Sequence, residues 1–232
     1  EAVKLVENPE TVIIDTSTAH RVSEGWVYGM PELRGQRELI RNSKRIANPG
    51  CHASGFIALI APLTGNKILS PETKLSCFSI TGYSGGGKKM IAEYESAEKP
   101  KGLFSPRIYG LNQSHKHLPE IMAVGGLTRA PIFCPIVDDY YCGMATSICL
   151  HNELLGKPVT AGQIRDELAA WYQGQRFVSV APFADAGYLE SNAFTGTNRM
   201  VLTVSGNNER TLITARFDNL GKGASGAAIQ NM

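Results

Sequence analysis

Thr11-Val-Ile-Ile-Asp15 constrains this sequence more than any other stretch. A short unbroken apolar run ending in an acid is how a strand covered on both faces of a parallel sheet reads. Its companion is Lys44-Arg-Ile-Ala-Asn48, a second brief strand candidate stopped by Asn48-Pro49-Gly50. One or two parallel strands cannot bury their own faces. Residues 1–48 are therefore expected to be part of a layer that more chain must complete. Residues 49–220 are expected to form a domain of their own, and 221–232 a helix that returns to the first piece. The order is a short β/α fragment, a larger α+β body and a small-residue helix.

Within the body, Phe56, Ile57, Leu59, Ile60 and Leu63 recur at helical spacing, which predicts a helix from about Cys51 to Gly65. Lys74–Tyr83 reads as a strand opening into Ser84-Gly-Gly-Gly-Lys88 and a helix through Glu95. Pro131–Leu150 alternates as one or two long strands. Thr160-Ala-Gly-Gln163 is a capping box, with Ile164, Leu168 and Trp171 on one face of the helix that follows. Phe177–Val180, Met200–Ser205 and Thr211–Phe217 read as strands, the last two joined as a hairpin at Asn207-Asn208. At the other end, residues 2–7 read as the last turns of a helix. Thr16–Gly35 reads as a polar loop, and Pro31–Arg41 as including a short surface helix.

Charge narrows the function classes. The chain of 232 residues carries 23 basic and 21 acidic side chains, a net +2, which is too balanced for a nucleic-acid binder. No stretch approaches the ~20 apolar residues of a membrane span. The five cysteines, Cys51, Cys77, Cys134, Cys142 and Cys149, show neither paired CxxC nor Cys/His ligand spacing, so no metal is expected. Glu1-Ala-Val-Lys4 has no basic leader pattern, and the chain reads as cytoplasmic with reduced thiols.

Cys51 is the strongest chemical candidate. Asn48-Pro49-Gly50 makes a tight turn, and the thiol falls on the first turn of an apolar helix, where unpaired N–H groups and the dipole favour a thiolate. The other four cysteines sit in apolar strand-like runs and are expected to be buried packing residues. His115-Lys-His117-Leu-Pro-Glu120 is the second constellation. Pro119 suits a first helical turn, which places His117 at the helix start, where imidazolium is disfavoured and the ring can accept a proton. Glu120 can lie over the same turn and orient a ring. A zinc site is disfavoured, because His-x-His inside a helix points the rings to different faces. Ser84, Gly85, Gly86 and Lys88 could cradle an anion, as could Gly221-Lys-Gly-Ala-Ser-Gly226, although neither has Walker spacing. Arg21 and Arg107 are candidate forks for a substrate carboxylate.

Asn48-Pro-Gly-Cys51, Gly82-Tyr-Ser-Gly-Gly-Gly-Lys88, His115-Lys-His-Leu-Pro-Glu120 and Asp218-Asn-Leu-Gly-Lys-Gly-Ala-Ser-Gly-Ala-Ala-Ile-Gln230 together resemble the N-acetyl-γ-glutamyl-phosphate reductase family. Asp15-Thr-Ser-Thr-Ala-His-Arg21 and Tyr28-Gly-Met-Pro-Glu-Leu33 resemble its shorter-chain branch. The motifs follow family order along the whole chain, although His52 stands where an aromatic is common.

The resemblance implies α/β plus α+β architecture. A remnant of a Rossmann-type NADP domain would precede a glyceraldehyde-3-phosphate-dehydrogenase-like catalytic and dimerisation domain with a mixed or antiparallel sheet. It further implies an oxidoreductase of arginine biosynthesis. The Cys attacks N-acetylglutamyl 5-phosphate, and NADPH reduces the thioester to the 5-semialdehyde. That carries the nucleophile onto Cys51 and acid/base work onto His117 or His115. It places substrate near Arg21, Ser84, Gly85 and Arg107, and NADP near Ser17, Gly86, Lys88, Gly223 and Ser225. A homodimer or homotetramer through the catalytic-domain sheet is implied. The family's first βαβ unit would precede residue 1, so this chain alone is expected to bind NADP poorly and reduce little. The rival readings are a non-catalytic oligomerisation fragment, a nucleotide-free Cys/His hydrolase, and a related aspartyl-phosphate reductase, which the His-Lys-His-Leu-Pro-Glu segment fits less well.

Overall fold

A computed structural model describes residues 2–184 and 187–232. Its first sheet is small and wholly parallel. β1 (Ile13–Asp15) and β2 (Val27–Tyr28) flank β3 (Arg45–Ala47), with Ile14 opposite Ile46 and Tyr28 opposite Ala47. A short α1 (Gln36–Arg41) connects β2 to β3. The two sequence-read strands are present, and β2 is an addition inside the segment read as a loop. Two residues of Val-Tyr are too few to show a period. Among the described residues at the start, the expected helix end over 2–7 is one 3-10 turn, Ala2–Leu5.

The second sheet carries the body. Its strands are β4 (Ser76–Gly82), β5 (Arg107–Ile108), β6 (Ile132–Asp138), β7 (Met144–His151), β8 (Val178–Val180), β9 (Met200–Gly206) and β10 (Arg210–Phe217). They lie in the order β5-β6-β4-β7-β10-β9-β8. β4–β6 and β8–β9 are parallel and the other pairs antiparallel, so the sheet is mixed. The 131–150 stretch is thus two strands, and they are not neighbours: β4 lies between them, parallel to β6 and antiparallel to β7. The Asn207-Asn208 hairpin forms as read, with the Asn207 carboxamide oxygen accepting from the N–H groups of Glu209 and Arg210, each at 2.9 Å.

α2 (Cys51–Gly65) runs through the centre of the body, packed on β7 and β10 and flanked by α4 (Leu118–Gly125) and α5 (Ala161–Trp171). The spacing that predicts one apolar face understates its burial, because His52 through Ile60 are buried without interruption. A helix apolar on all sides belongs in a core. Pro62 lies inside it, and having no N–H it leaves the Ala58 carbonyl without a helical donor. The buried Tyr172 hydroxyl donates to that carbonyl at 2.8 Å. α5 begins at the Thr160/Gln163 capping box with both reciprocal bonds made. Trp171 is half-buried, with the Arg34 guanidinium 4.0 Å above its ring.

After β10 the chain turns through a π-helical segment, Gly221–Ser225, into α6 (Gly226–Asn231). This segment packs back on the first sheet. Asn48 donates to the Ala224 carbonyl at 3.0 Å, and Asn231 donates to the Gly29 carbonyl at 2.9 Å. Among the described residues no helix is long and apolar enough to cross a membrane.

Candidate active site

The turn ahead of α2, the Ser84–Gly87 turn after β4, the 115–117 segment and the Gly223–Ser225 turn enclose a cleft of about 540 Å³. Cys51 opens α2 at its floor, half-buried. A wider, more open hollow of about 910 Å³ lies between the ends of β7 and β10 and the start of α5. Its lining includes His151, Lys157 and Arg210 but no cysteine.

The turn that presents Cys51 is built on Glu120. Arg21 Nη1 donates to Glu120 Oε1 at 2.7 Å, while the Tyr28 hydroxyl and the Gly50 N–H donate to Oε2 at 2.7 and 3.1 Å. Arg21 also donates to the Asn48 and Thr16 carbonyls. The ion pair is closed off, with side chains only 8% and 1% exposed. Residue 50 has to be glycine, because a Cβ there would stand 2.4 Å from His117 Nε2 and 2.5 Å from Arg21 Nη1. Glu120 therefore shapes the Gly50 turn: its bonds go to Arg21, Tyr28 and Gly50, and not to a histidine ring as the sequence suggests. Arg21 borders the cleft but spends three of its five N–H groups on protein acceptors.

His117 is the N-cap residue of α4, without a side-chain capping bond, and Pro119 lies in the first turn as the sequence suggests. Burial, then His52, His115, Arg21 and Lys116, hold its pKa far below the ordinary histidine range, so the ring is neutral. Its Nδ1 is buried without a partner. His115 crosses it edge-on, with ring centroids 4.7 Å apart, and burial and Lys116 lower its pKa too. The expectation of a thiolate at rest is corrected. Burial pushes the Cys51 thiol up, and Glu120 adds to the rise, against a downward pull from the His52 backbone N–H, Arg21 and Lys116. At rest the pair is a thiol beside a neutral imidazole.

Ser84, Gly85, Gly86, Gly223 and Ser225 line the cleft with Cys51, His115 and His117. Three expected residues do not. Arg107 donates to the Tyr94 hydroxyl at 3.2 Å and borders a separate hollow beside α3 (Gly87–Tyr94). Lys88 is exposed on the first turn of α3, and Ser17 is folded onto the Asp15 carboxylate. Lys222, read as part of an anion-binding loop, is buried and donates to Glu32 at 2.7 Å and to Gln230 at 2.6 Å. Cys77 alone of the other cysteines is buried; Cys134 and Cys142 are partly exposed, and Cys149 is exposed on the open side of β7.

The sequence reading passes over Tyr109, Lys116 and Asn219, which also line the cleft. It also overlooks that Gly221, Gly223 and Gly226 spell G-x-G-x-x-G. Here that spacing forms a π-helical turn after an antiparallel strand, and not the strand–turn–helix of a dinucleotide fingerprint. Among the described residues no group of three or more His, Cys, Asp or Glu is arranged to hold a metal ion.

Residues 51–219 match the family model described as semialdehyde dehydrogenase, dimerisation domain. The chain is 43% identical to N-acetyl-gamma-glutamyl-phosphate reductase 2 of Nostoc sp., over 100% of its own length and 76% of that protein. It is also 43% identical to the protein of the same name from Pseudomonas putida, with the same coverage. The fold superposes on aspartate semialdehyde dehydrogenase II from Vibrio cholerae with a TM-score of 0.73 at 16% identity, covering 95% of this chain and 71% of that one. The enzyme from Francisella tularensis gives 0.70 at 13% identity, covering 94% and 73%.

Proposed function

The chain belongs to the N-acetyl-γ-glutamyl-phosphate reductase family, and on that premise we propose that Cys51 takes the acyl group of N-acetylglutamyl 5-phosphate as a thioester on the way to the 5-semialdehyde, with NADPH as reductant. The observation that carries this reading is the cleft itself. One thiol at a helix N-terminus shares the cleft with a buried neutral imidazole and with two turns built from glycine.

His117 takes the thiol proton in step with attack on the acyl carbon, because the raised thiol and the depressed imidazole disfavour a preformed ion pair. The sulfur attacks the acyl carbon, the carbon–oxygen bond to phosphate breaks, and phosphate leaves with the electron pair. The backbone N–H of His52 faces the sulfur and favours negative charge there. Ser84 and the exposed backbone of Gly85–Gly87 support the departing phosphate, with Lys116 as a cation in the same cleft lining.

The residues present fit the reactive end of a nicotinamide. A Cβ at position 223 would stand 3.0 Å from the Cys51 Cβ, so glycine there lets this turn lie against Cys51 without crowding it. Gly223 and Ser225 would hold that end, and the bound cofactor supplies the hydride that reduces the thioester.

Self-association through the open face of the second sheet is part of the same proposal. Phe78 and Ile132 lie on that face 36% and 59% exposed, a cost to a monomer that a second copy removes.

The test needs no NADPH. The chain mixed with N-acetylglutamyl phosphate is expected to release a burst of up to one phosphate per chain, and the Cys51 peptide to gain the acyl mass. An equal burst from Cys51→Ala overturns the reading.

A further inference from the structure

Beneath the nucleophile runs a polar chain that this mechanism leaves unused. His52, the residue after Cys51, is 3% exposed. Its Nε2 lies 2.6 Å from the Tyr109 hydroxyl and its Nδ1 2.7 Å from Ser79 Oγ. Ser79 Oγ lies in turn 2.8 Å from Thr146 Oγ1. Ser79 and Thr146 are wholly buried, whereas Tyr109 reaches the cleft.

A neutral imidazole donates through one nitrogen and accepts through the other, and each hydroxyl can do either. The chain therefore has two self-consistent settings. In one, Tyr109 donates to Nε2, Nδ1–H to Ser79, and Ser79 to Thr146, so that the tyrosine proton is consumed inside the protein. In the other, Thr146 donates to Ser79, Ser79 to Nδ1, and Nε2–H to the tyrosine oxygen, so that the Tyr109 proton is free to point into the cleft. The far end is sealed in the core, so relay along the chain does not turn one setting into the other. The two differ in the polarity Tyr109 shows to a ligand.

We propose that His52 is a positioning residue that sets Tyr109 as a hydrogen-bond donor to the acyl oxygen as it gains charge at Cys51. The inference rests on the thioester reading above and adds two residues to it. Burial, with His115 and Lys116, holds His52 to a pKa of about 3, so the ring stays neutral, with one donor and one acceptor nitrogen. Burial and a charge on Cys51 both raise the Tyr109 phenol, which keeps its proton and lies within electrostatic reach of the sulfur. Ring packing fixes the imidazole from the other sides, against His115, His117 and Phe133 at 5.6, 5.8 and 5.4 Å between centroids.

The experiment compares the phosphate burst of the unaltered chain with Tyr109→Phe, His52→Phe and the double variant, alongside melting temperature and the rate of Cys51 alkylation. Removing one donor to a developing oxyanion costs about 10²-fold in rate. Each single variant is expected to lose about that much in burst rate, at an unchanged half-saturating concentration, and the double variant to be no slower than Tyr109→Phe. Multiplying losses, or a change confined to half-saturation, overturn the proposal. A second measurement avoids any substitution: nitrogen-15 shifts of the acylated chain are expected to put the His52 proton on Nε2, and a proton on Nδ1 overturns it. A missing burst in the unaltered chain strikes the thioester reading itself, which separates the two failures.

Discussion

Arg21→Met tests whether the catalytic turn hangs on a buried charge. The substitution removes the guanidinium from Glu120 and leaves the carboxylate with the Tyr28 hydroxyl and the Gly50 N–H as its remaining donors. Breaking one side of a buried ion pair costs about 3–5 kcal/mol. At roughly 2–4 °C per kcal/mol for a chain of this size, the melting temperature should fall by roughly 6–20 °C. The pH dependence has a definite sign. Burial already raises the Glu120 pKa against the opposing pull of Arg21 and its hydrogen bonds, and losing Arg21 raises it further. A carboxyl whose folded pKa exceeds its unfolded one burdens the folded state above that folded value, and the burden vanishes as pH falls below the unfolded value. The deficit of Arg21→Met should therefore be largest at neutral pH and shrink on acidification through the carboxyl range. Urea melts from pH 7 to 4 read it directly, and adding Glu120→Gln should restore most of the loss at pH 7. A deficit under ~1 kcal/mol, or one that grows as pH falls, would refute the argument that this pair holds the turn.

Other consequences can be measured as directly. Tyr172→Phe strands the Ala58 carbonyl that Pro62 leaves open, and should cost about 1–3 kcal/mol in urea unfolding; no loss would mean that water replaces the hydroxyl. Thr160→Ala removes one half of a capping box and should cost about 1 kcal/mol, with Thr160→Ser nearly silent in the same melt. In the free chain, iodoacetamide should alkylate Cys51 at a rate still climbing past pH 9, because burial raises the thiol; a plateau by pH 7 contradicts that. Ile132→Lys on the open sheet face should convert the assembly to monomer by light scattering, and an unchanged mass removes that face as the contact.

The parts of the fold that were legible in the sequence are those where local chemistry and tertiary structure agree. α2 begins at Cys51 and ends at Gly65 because a Pro-Gly turn starts it and a glycine closes an apolar run. The Thr160/Gln163 box and the Asn207-Asn208 hairpin carry their hydrogen bonds in their own residues. β2 was illegible because its two residues become a strand only by lying beside β3. The insertion of β4 between β6 and β7 depends on pairing partners far apart in sequence, which periodicity does not report.

In the site, glycine turns and the order of motifs point to the cleft, but side-chain commitments stay hidden. Lys222 and Arg107 look like free cations until Glu32 and Tyr94 are seen to hold them. Cys51 looks like a thiolate from helix position alone, and it is burial that reverses the balance.

The clasp between Asn48 and the Ala224 carbonyl spans 176 positions, and beside it Gly223 lies against Cys51. At the usual ~5–20 residues per second of synthesis, roughly 9–35 s separate the emergence of the two partners. For that interval a nascent chain carries its reactive cysteine without the wall that encloses it. The burial that makes this thiol weakly acidic belongs to the finished cleft, so during that interval the sulfur ionises and oxidises more readily than it does later. The pocket is thus completed from both ends of the chain, and the residues that close it are among the last to be made.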